Sequence, residues 1–306
     1  MMFRAGRYLF AFIPYMIFFY YSREDREYKA NILTMRTFCE NIINERKRNL
    51  EKFKDNPDLL TILCMDELFA DDTKAMIDEI ITFFLAGSFT LKSTNSNLIQ
   101  YLALNPKVYC KLMSELKETI LKEHLSGVNQ AKPVDTKKEF TFESVEPLRY
   151  FINCFYESLR IETPTVASGG IFTEPQSILG VNIRKNDLFI INMQQIHNDS
   201  TEWIAPERFI PERFESSSQY YLRPDGKKRN PFSFSPFLGG KRICLGKTFA
   251  EIVAKFVVPA LLSRFEFEFV DTDLRDGLKE KPKLNLDMDE EPVVMMTIKK
   301  VNLLTI

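Results

Sequence analysis

Apolar residues recur at helical spacing over most of this chain, and only short stretches alternate. Tyr28, Ile32, Met35, Cys39, Ile42 and Ile43 trace one stripe through a charged segment, which predicts an outer helix that carries no chemistry. Met76, Ile80, Phe83, Phe84, Gly87 and Leu91 mark a second, longer helix with one apolar face. Asp72 or Thr73 can cap its start, Asn105 with Pro106 stops it, and the small residues around Gly87 suggest an irregular centre. Another helix carries Glu157 and Arg160, and an apolar helix follows Gly246. Residues 265–269 read Phe-Glu-Phe-Glu-Phe, the alternation of a half-buried strand, and residues 292–298 offer it a partner strand. Residues 124–138 are polar, with Gly127 and Pro133, and read as a surface loop. No internal repeat or low-complexity tract interrupts the pattern. The expectation is a mainly α fold with small β-sheets, in a single domain over residues 1–306.

Composition narrows the class without naming a ligand. The chain has 306 residues, enough for a sizeable core, and its 45% hydrophobic content fits a globular protein. Its 27 phenylalanines suit an aromatic-lined interior. The formal net charge of −1, with no zinc-finger, helix-turn-helix or phosphate-loop pattern, gives no reason to expect a nucleic-acid partner. Five cysteines at 39, 64, 110, 154 and 244 show no paired spacing, which suggests reduced thiols facing the cytosol. Cys39, Cys64, Cys110 and Cys154 are expected to pack as small apolar residues. Residues 8–21 are apolar and aromatic but shorter than the ~20 residues a spanning helix needs, and Pro14 interrupts them. A charged stretch follows rather than a small-residue cleavage site, so they do not read as a signal peptide.

The most informative chemistry lies at residues 237–246, which read Phe-Leu-Gly-Gly-Lys-Arg-Ile-Cys-Leu-Gly. One cysteine sits in a glycine-bracketed loop, with an arginine two residues before it and an apolar helix behind it. A sulfur ligand to haem iron needs such a loop, and glycine lets backbone approach a flat macrocycle closely. A buried free cysteine, the usual fate of a lone one, explains neither the glycines nor the arginine. Phe237, Gly240, Arg242, Cys244 and Gly246 together match the pattern Phe-x-x-Gly-x-Arg-x-Cys-x-Gly, and here the chain resembles the cytochrome P-450 family of haem-thiolate monooxygenases.

Two further constellations follow the family's order. Glu157 and Arg160 stand at i and i+3 on one helical face. Downstream come residues 196–199 (Ile-His-Asn-Asp), then Trp203, Pro206 and Phe209, and then Pro-Glu-Arg-Phe at 211–214. The resemblance implies that Glu157, Arg160 and Arg213 form a buried ion cluster that braces the core behind the cysteine loop. On the long helix, residues 86–90 (Ala-Gly-Ser-Phe-Thr) resemble the family's oxygen-binding stretch, and Thr90 falls on its threonine.

The resemblance implies haem b with Cys244 as the axial iron ligand, Arg242 as a propionate partner and Phe237 shielding the sulfur. Gly240 and Gly246 would allow the close approach to haem, while Thr90, Ala86 and Gly87 line the oxygen site and residues 163–167 touch substrate. The implied reaction inserts one oxygen atom from dioxygen into an apolar small molecule. Electrons come from NADPH through a reductase or similar donor. The cations Lys227, Lys228, Arg229, Lys241 and Lys247 read either as ordinary solvated surface or as the patch on which that donor would dock. Residues 8–21 resemble the loop that dips into the membrane surface in microsomal members, which implies a cytosol-facing protein at the endoplasmic reticulum; plain core and an anchor are the other readings of this segment.

Three departures keep other readings open. Phe89 occupies the position where the family usually carries an acid, and an aromatic ring cannot pass protons. A P-450-type isomerase or dehydratase, acting on pre-oxygenated substrate, needs no such relay. Between Arg160 and Arg184 there is no Lys, Arg or His to bind a propionate, which leaves Arg242. The chain also corresponds to only about the C-terminal two-thirds of the family fold. It is expected to be a truncated gene model or a true short form, and a non-catalytic remnant that holds no haem is the remaining alternative.

Overall fold

The computed structural model describes residues 23–126, 141–283 and 293–301. The aromatic segment 8–21, Pro292 and the loop over 124–138 beyond Ser126 lie outside the described residues. Two compact units divide the chain, Met1–Phe89 and Thr90–Ile306, with the boundary inside the long helix.

In the first unit, helix α1 (Arg23–Arg48) turns Cys39 and Ile43 inward, both fully buried. They meet Leu63 and Cys64 of α2 (Leu59–Met65), and Met76 and Ile77 of α3 (Thr73–Leu104). Tyr28, at the start of the stripe, is exposed instead, so the buried face begins further along the helix. Asp58 caps α2 by accepting from the Thr61 N–H at 2.9 Å. The Arg46 guanidinium bonded to that carboxylate, with the cap itself, pulls Asp58 down to about 2.

Helix α3 is continuous through residues 86–90, contrary to the expected irregular centre. A single glycine costs ~1 kcal/mol in a helix interior, too little to break 32 residues that have apolar packing at both ends. Its start is fixed as expected, with Asp72 accepting from the Ala75 N–H at 2.9 Å. Helix α4 (Pro106–Ser126) begins at the proline that ends α3, a residue suited to a first helical position.

The second unit holds the larger core. Leu98 and Leu102 of α3 pack with Leu112 and Leu116 of α4. They also meet Phe151, Cys154, Phe155 and Leu159 of α6 (Arg149–Ile161), which follows the short α5 (Phe142–Val145). Residue Leu148, before α6, offers no side-chain cap. Glu115 of α4 supplies one across the helix pair, accepting from the Tyr150 and Phe151 N–H groups at 2.9 Å each. Cys110 is exposed, in contrast to Cys39, Cys64 and Cys154. It lies off the face of α4 that buries Leu112, Met113 and Leu116.

Among the described residues there are three two-stranded antiparallel sheets. Strand β1 (Ala167–Ile171) pairs with β4 (Leu188–Asn192), placing Gly169 opposite Ile190. Strands β2 (Gln176–Ile178) and β3 (Val181–Ile183) form a hairpin with Leu179 and Gly180 at its tip. A short helix, α7 (Met193–His197), follows β4 directly. Helix α8 (Lys247–Leu262) follows the cysteine loop and sends Ala254, Val258 and Leu262 into the core. Strand β5 (Phe265–Phe269) buries Phe269 and pairs with β6 (Met296–Lys300), a little beyond the expected 292–298, with a short helix α9 (Thr272–Arg275) between them in sequence.

Candidate functional site

The centre of the second unit is a buried cluster of charge. Glu157, Arg160 and Arg213 have no exposed side-chain surface. Arg160 meets Glu157 in a two-pronged contact, Nε to Oε2 and Nη2 to Oε1, both at 2.8 Å, and Arg213 Nε reaches Oε1 at 3.0 Å. The Ile210 N–H donates to the same oxygen at 2.9 Å. Two guanidiniums against one carboxylate leave an excess positive charge, and removing that from water is costly unless dipoles replace the solvent. The chain supplies carbonyls. Arg160 donates to His197 O at 3.0 Å and Pro206 O at 2.8 Å, and Arg213 to Ala205 O at 2.6 Å and to Ile204 O. Both reach Arg208 O at 3.2 Å. Ala205 takes a left-handed φ of +48° in this turn, strain that an alanine bears only where surroundings compel it.

This cluster is the one the sequence resemblance implied, with additions that pattern reading missed. Trp203 is 1% exposed and takes Arg229 over its ring at 4.3 Å and Arg160 at 5.2 Å. Arg229 donates to Tyr220 O at 2.9 Å and Arg213 O at 2.8 Å, and burial pushes its pKa below the usual guanidinium value. Its place is in the scaffold, so the cationic surface run loses this member. Lys227, Lys228 and Lys241 remain exposed, and Lys247 is partly so. His197 is also fully buried. Burial first, and Arg160 next, push it down to about 4, so its ring is neutral at pH 7. Ring Nε2 then accepts the Ser235 N–H at 3.0 Å. Its role had no separate signal in the sequence beyond the run 196–199.

The loop from Ser235 carries the cysteine. Leu238 N–H donates to Ser235 O at 2.9 Å, and Cys244 N–H to Phe237 O at 2.8 Å, closing residues 237–244 into a tight loop. Phe237 is half-buried and packs on the main core, which anchors one end. Gly240 takes a φ of +64°, a left-handed turn that glycine adopts without steric cost. Gly246 lies beside the thiol, with a Cβ position 3.8 Å from Cys244 Sγ. The structure thus gathers Phe237, Gly240, Arg242, Cys244 and Gly246 into one loop. Ala86, Gly87 and Thr90 follow one another on α3, with open space beside Gly87. Ser88 turns its hydroxyl onto the Phe84 carbonyl one turn back.

The residues of the loop fit a flat, largely apolar macrocycle with an iron at its centre. Cys244 is exposed, and its neighbours Ile243, Leu245 and Phe249 are 53%, 82% and 61% exposed. Three large apolar side chains exposed within residues 243–249 suit a surface that something apolar covers. Arg242 is exposed and has no ion pair among the described residues, as a carboxylate anchor would require. Among the described residues Cys244 belongs to no group of three or more His, Cys, Asp or Glu side chains that could hold a metal. A separate groove of about 510 Å³ is lined by Lys111, Tyr150, Glu212 and Tyr220, among others, and takes no residue from the cysteine loop. No described helix is long and apolar enough to cross a membrane.

The comparisons agree with this geometry. The family model described as cytochrome P450 (cytochrome P-450) matches residues 1–293. Cytochrome P-450 4F12 of Homo sapiens is 28% identical over 95% of this chain and 54% of its own length. Cytochrome P-450 716A1 of Arabidopsis thaliana is 30% identical over 81% of this chain and 48% of its own. A crystal structure of a cytochrome P-450, CYP102L1, superposes with a TM-score of 0.70 at 22% identity, covering 91% of this chain and 58% of that one. The chain therefore spans about half the length of the curated relatives it matches, a share nearer half than the two-thirds expected. With its cysteine loop, its buried Glu–Arg–Arg cluster and a match over nearly its whole length, the chain belongs to the cytochrome P-450 family.

Proposed function

We propose that this chain, as one partial domain over residues 1–306, is the haem-binding portion of a monooxygenase. The observation that carries the reading is the exposed Cys244 in its closed loop, with apolar neighbours held open and Arg242 uncompensated beside it. Cys244 binds iron, Arg242 a propionate, and Phe237 walls the sulfur from water. Gly240 and Gly246 keep side chains out of the macrocycle's way. Haem held there would supply dioxygen activation, because a thiolate ligand favours O–O cleavage. Thr90 holds a hydroxyl beside the oxygen site, and Ala86 and Gly87 leave it space, while residues 163–167 touch substrate.

The substrate is an apolar organic molecule. Relatives named beta-amyrin 28-monooxygenase, from Barbarea vulgaris, and protopanaxadiol 6-hydroxylase, from Panax ginseng, support the oxygen-insertion class. NADPH electrons arrive through a reductase at Lys227, Lys228, Lys241 and Lys247, where opposite charge speeds encounter. Residues 8–21 rest on the endoplasmic reticulum surface, with the protein facing the cytosol.

A second reading is kept because Phe89 gives no proton-passing group next to Thr90. In it the chain rearranges or dehydrates a substrate that already carries oxygen. Isotopically heavy dioxygen separates the two in the haem-loaded protein, supplied with NADPH and a reductase. Monooxygenation puts one heavy atom into the product. Conversion that proceeds without dioxygen, or product free of label, overturns it in favour of the second reading.

A further inference from the structure

Residues 231–246, which hold the cysteine, are bonded mostly to themselves and to the residues that flank them. Ser233 Oγ donates to Asn230 O at 2.7 Å, Ser235 Oγ to Phe232 O at 3.1 Å, and Ile243 N–H to Gly240 O at 3.3 Å. Among the described residues, one hydrogen bond fastens this stretch to the body of the protein beyond its own flanks: Ser235 N–H to His197 Nε2, at 3.0 Å. We propose that His197 is the positioning residue of the cysteine loop, the side chain through which the buried ion cluster sets where Cys244 stands.

The geometry gives the ring little freedom to do anything else. His197 closes α7, its carbonyl is held by Arg160 at 3.0 Å, and its ring is fully buried. Phe234 lies against it, with ring centroids 5.6 Å apart at a 42° tilt. A rigid acceptor on a rigid carbonyl thus fixes the Ser235 amide. Ser235 O then takes the Leu238 amide at 2.9 Å, and Phe237, one residue back, takes the Cys244 amide at 2.8 Å. The path from Glu157 through Arg160 and His197 to Cys244 runs through hydrogen bonds and three short covalent links, within His197, within Ser235 and across the Phe237–Leu238 peptide. Because amide donors need a lone pair, a neutral imidazole serves and a protonated one does not.

The inference rests on Cys244 being the site residue but not on haem being held, so the test uses the haem-free full chain. Amide hydrogen exchange is followed residue by residue at pH 7, beside the rate at which iodoacetamide labels Cys244, located by mass spectrometry. In the unaltered protein, Ser235 should be the slowest amide to exchange within 231–246, a result that needs no variant to fold. His197→Leu should speed exchange over 235–244 and labelling of Cys244 by about fivefold, the effect of one ordinary hydrogen bond, and leave amides 112–116 of α4 unchanged. His197→Gln, which returns an acceptor oxygen near the Nε2 position, should restore both rates towards those of the unaltered chain. An unprotected Ser235 amide overturns the proposal. So does a change spread equally through α4, which would make His197 a general packing residue, or a Gln variant no better than Leu. Failure of haem uptake in a separate measurement would count against the proposed function and leave this result standing.

Discussion

Glu157 stands between two arginines that have no exposed side-chain surface, so its loss leaves two buried charges facing only carbonyl dipoles. Glu157→Gln keeps the shape and removes the charge. We expect it to lower unfolding free energy by about 3–5 kcal/mol, the usual cost of breaking a buried pair from one side, as read by urea denaturation. His197 makes a second prediction, with a sign fixed by its depression to about 4. As pH falls below the unfolded value of 6.5, the unfolded chain takes up a proton that the folded chain refuses, so stability declines towards pH 4 and then levels. The share due to His197 should be about 3 kcal/mol over that window, so the decline should be shallower by that amount in His197→Gln. At this scale the motif residues were legible in the sequence, because a glycine-bracketed cysteine and a Glu-x-x-Arg spacing are chemistry written locally. His197 and Arg229 were not, since what makes each important is a partner tens of residues away: Ser235 for one, Trp203 for the other.

The elements are held by local rules that single substitutions can test. Gly169 in β1 lies so close to β4 that a Cβ there would fall 2.2 Å from the Phe189 carbonyl oxygen. Gly169→Ala should therefore part the two strands and lower the thermal midpoint clearly. The β2–β3 hairpin turns on two residues with positive φ, Leu179 at +50° and Gly180 at +79°. Such a turn favours Asn before Gly, and Leu179 is 99% exposed with no packing to lose. Leu179→Asn should raise stability by about 1 kcal/mol, measurable as a higher urea midpoint. Periodicity revealed α1, α3 and the β5 alternation, because each buries one face. It did not reveal the β1–β4 pairing, where glycines and close backbone approach set the geometry. Nor did it foresee that α3 continues unbroken past Gly87, since packing at both ends outweighs one weak residue.

The chain spans about half the length of its curated relatives, and its second unit holds the larger buried core with the cysteine loop fastened to it. Family and fold class were legible because the motifs lie in order along this portion of the chain. Burial of Arg229 was not, and it leaves four lysines as the proposed electron-donor face. Reductase association at such a face should weaken as salt rises past the range where exposed charges are screened. The central claim is that Cys244 carries the iron. It is tested most directly by the carbon monoxide difference spectrum of this reduced chain, expressed with a haem precursor, beside Cys244→Ala. The account predicts a strongly red-shifted Soret band in the first and its loss in the second. No haem uptake, or a red-shifted band that survives in Cys244→Ala, would contradict it.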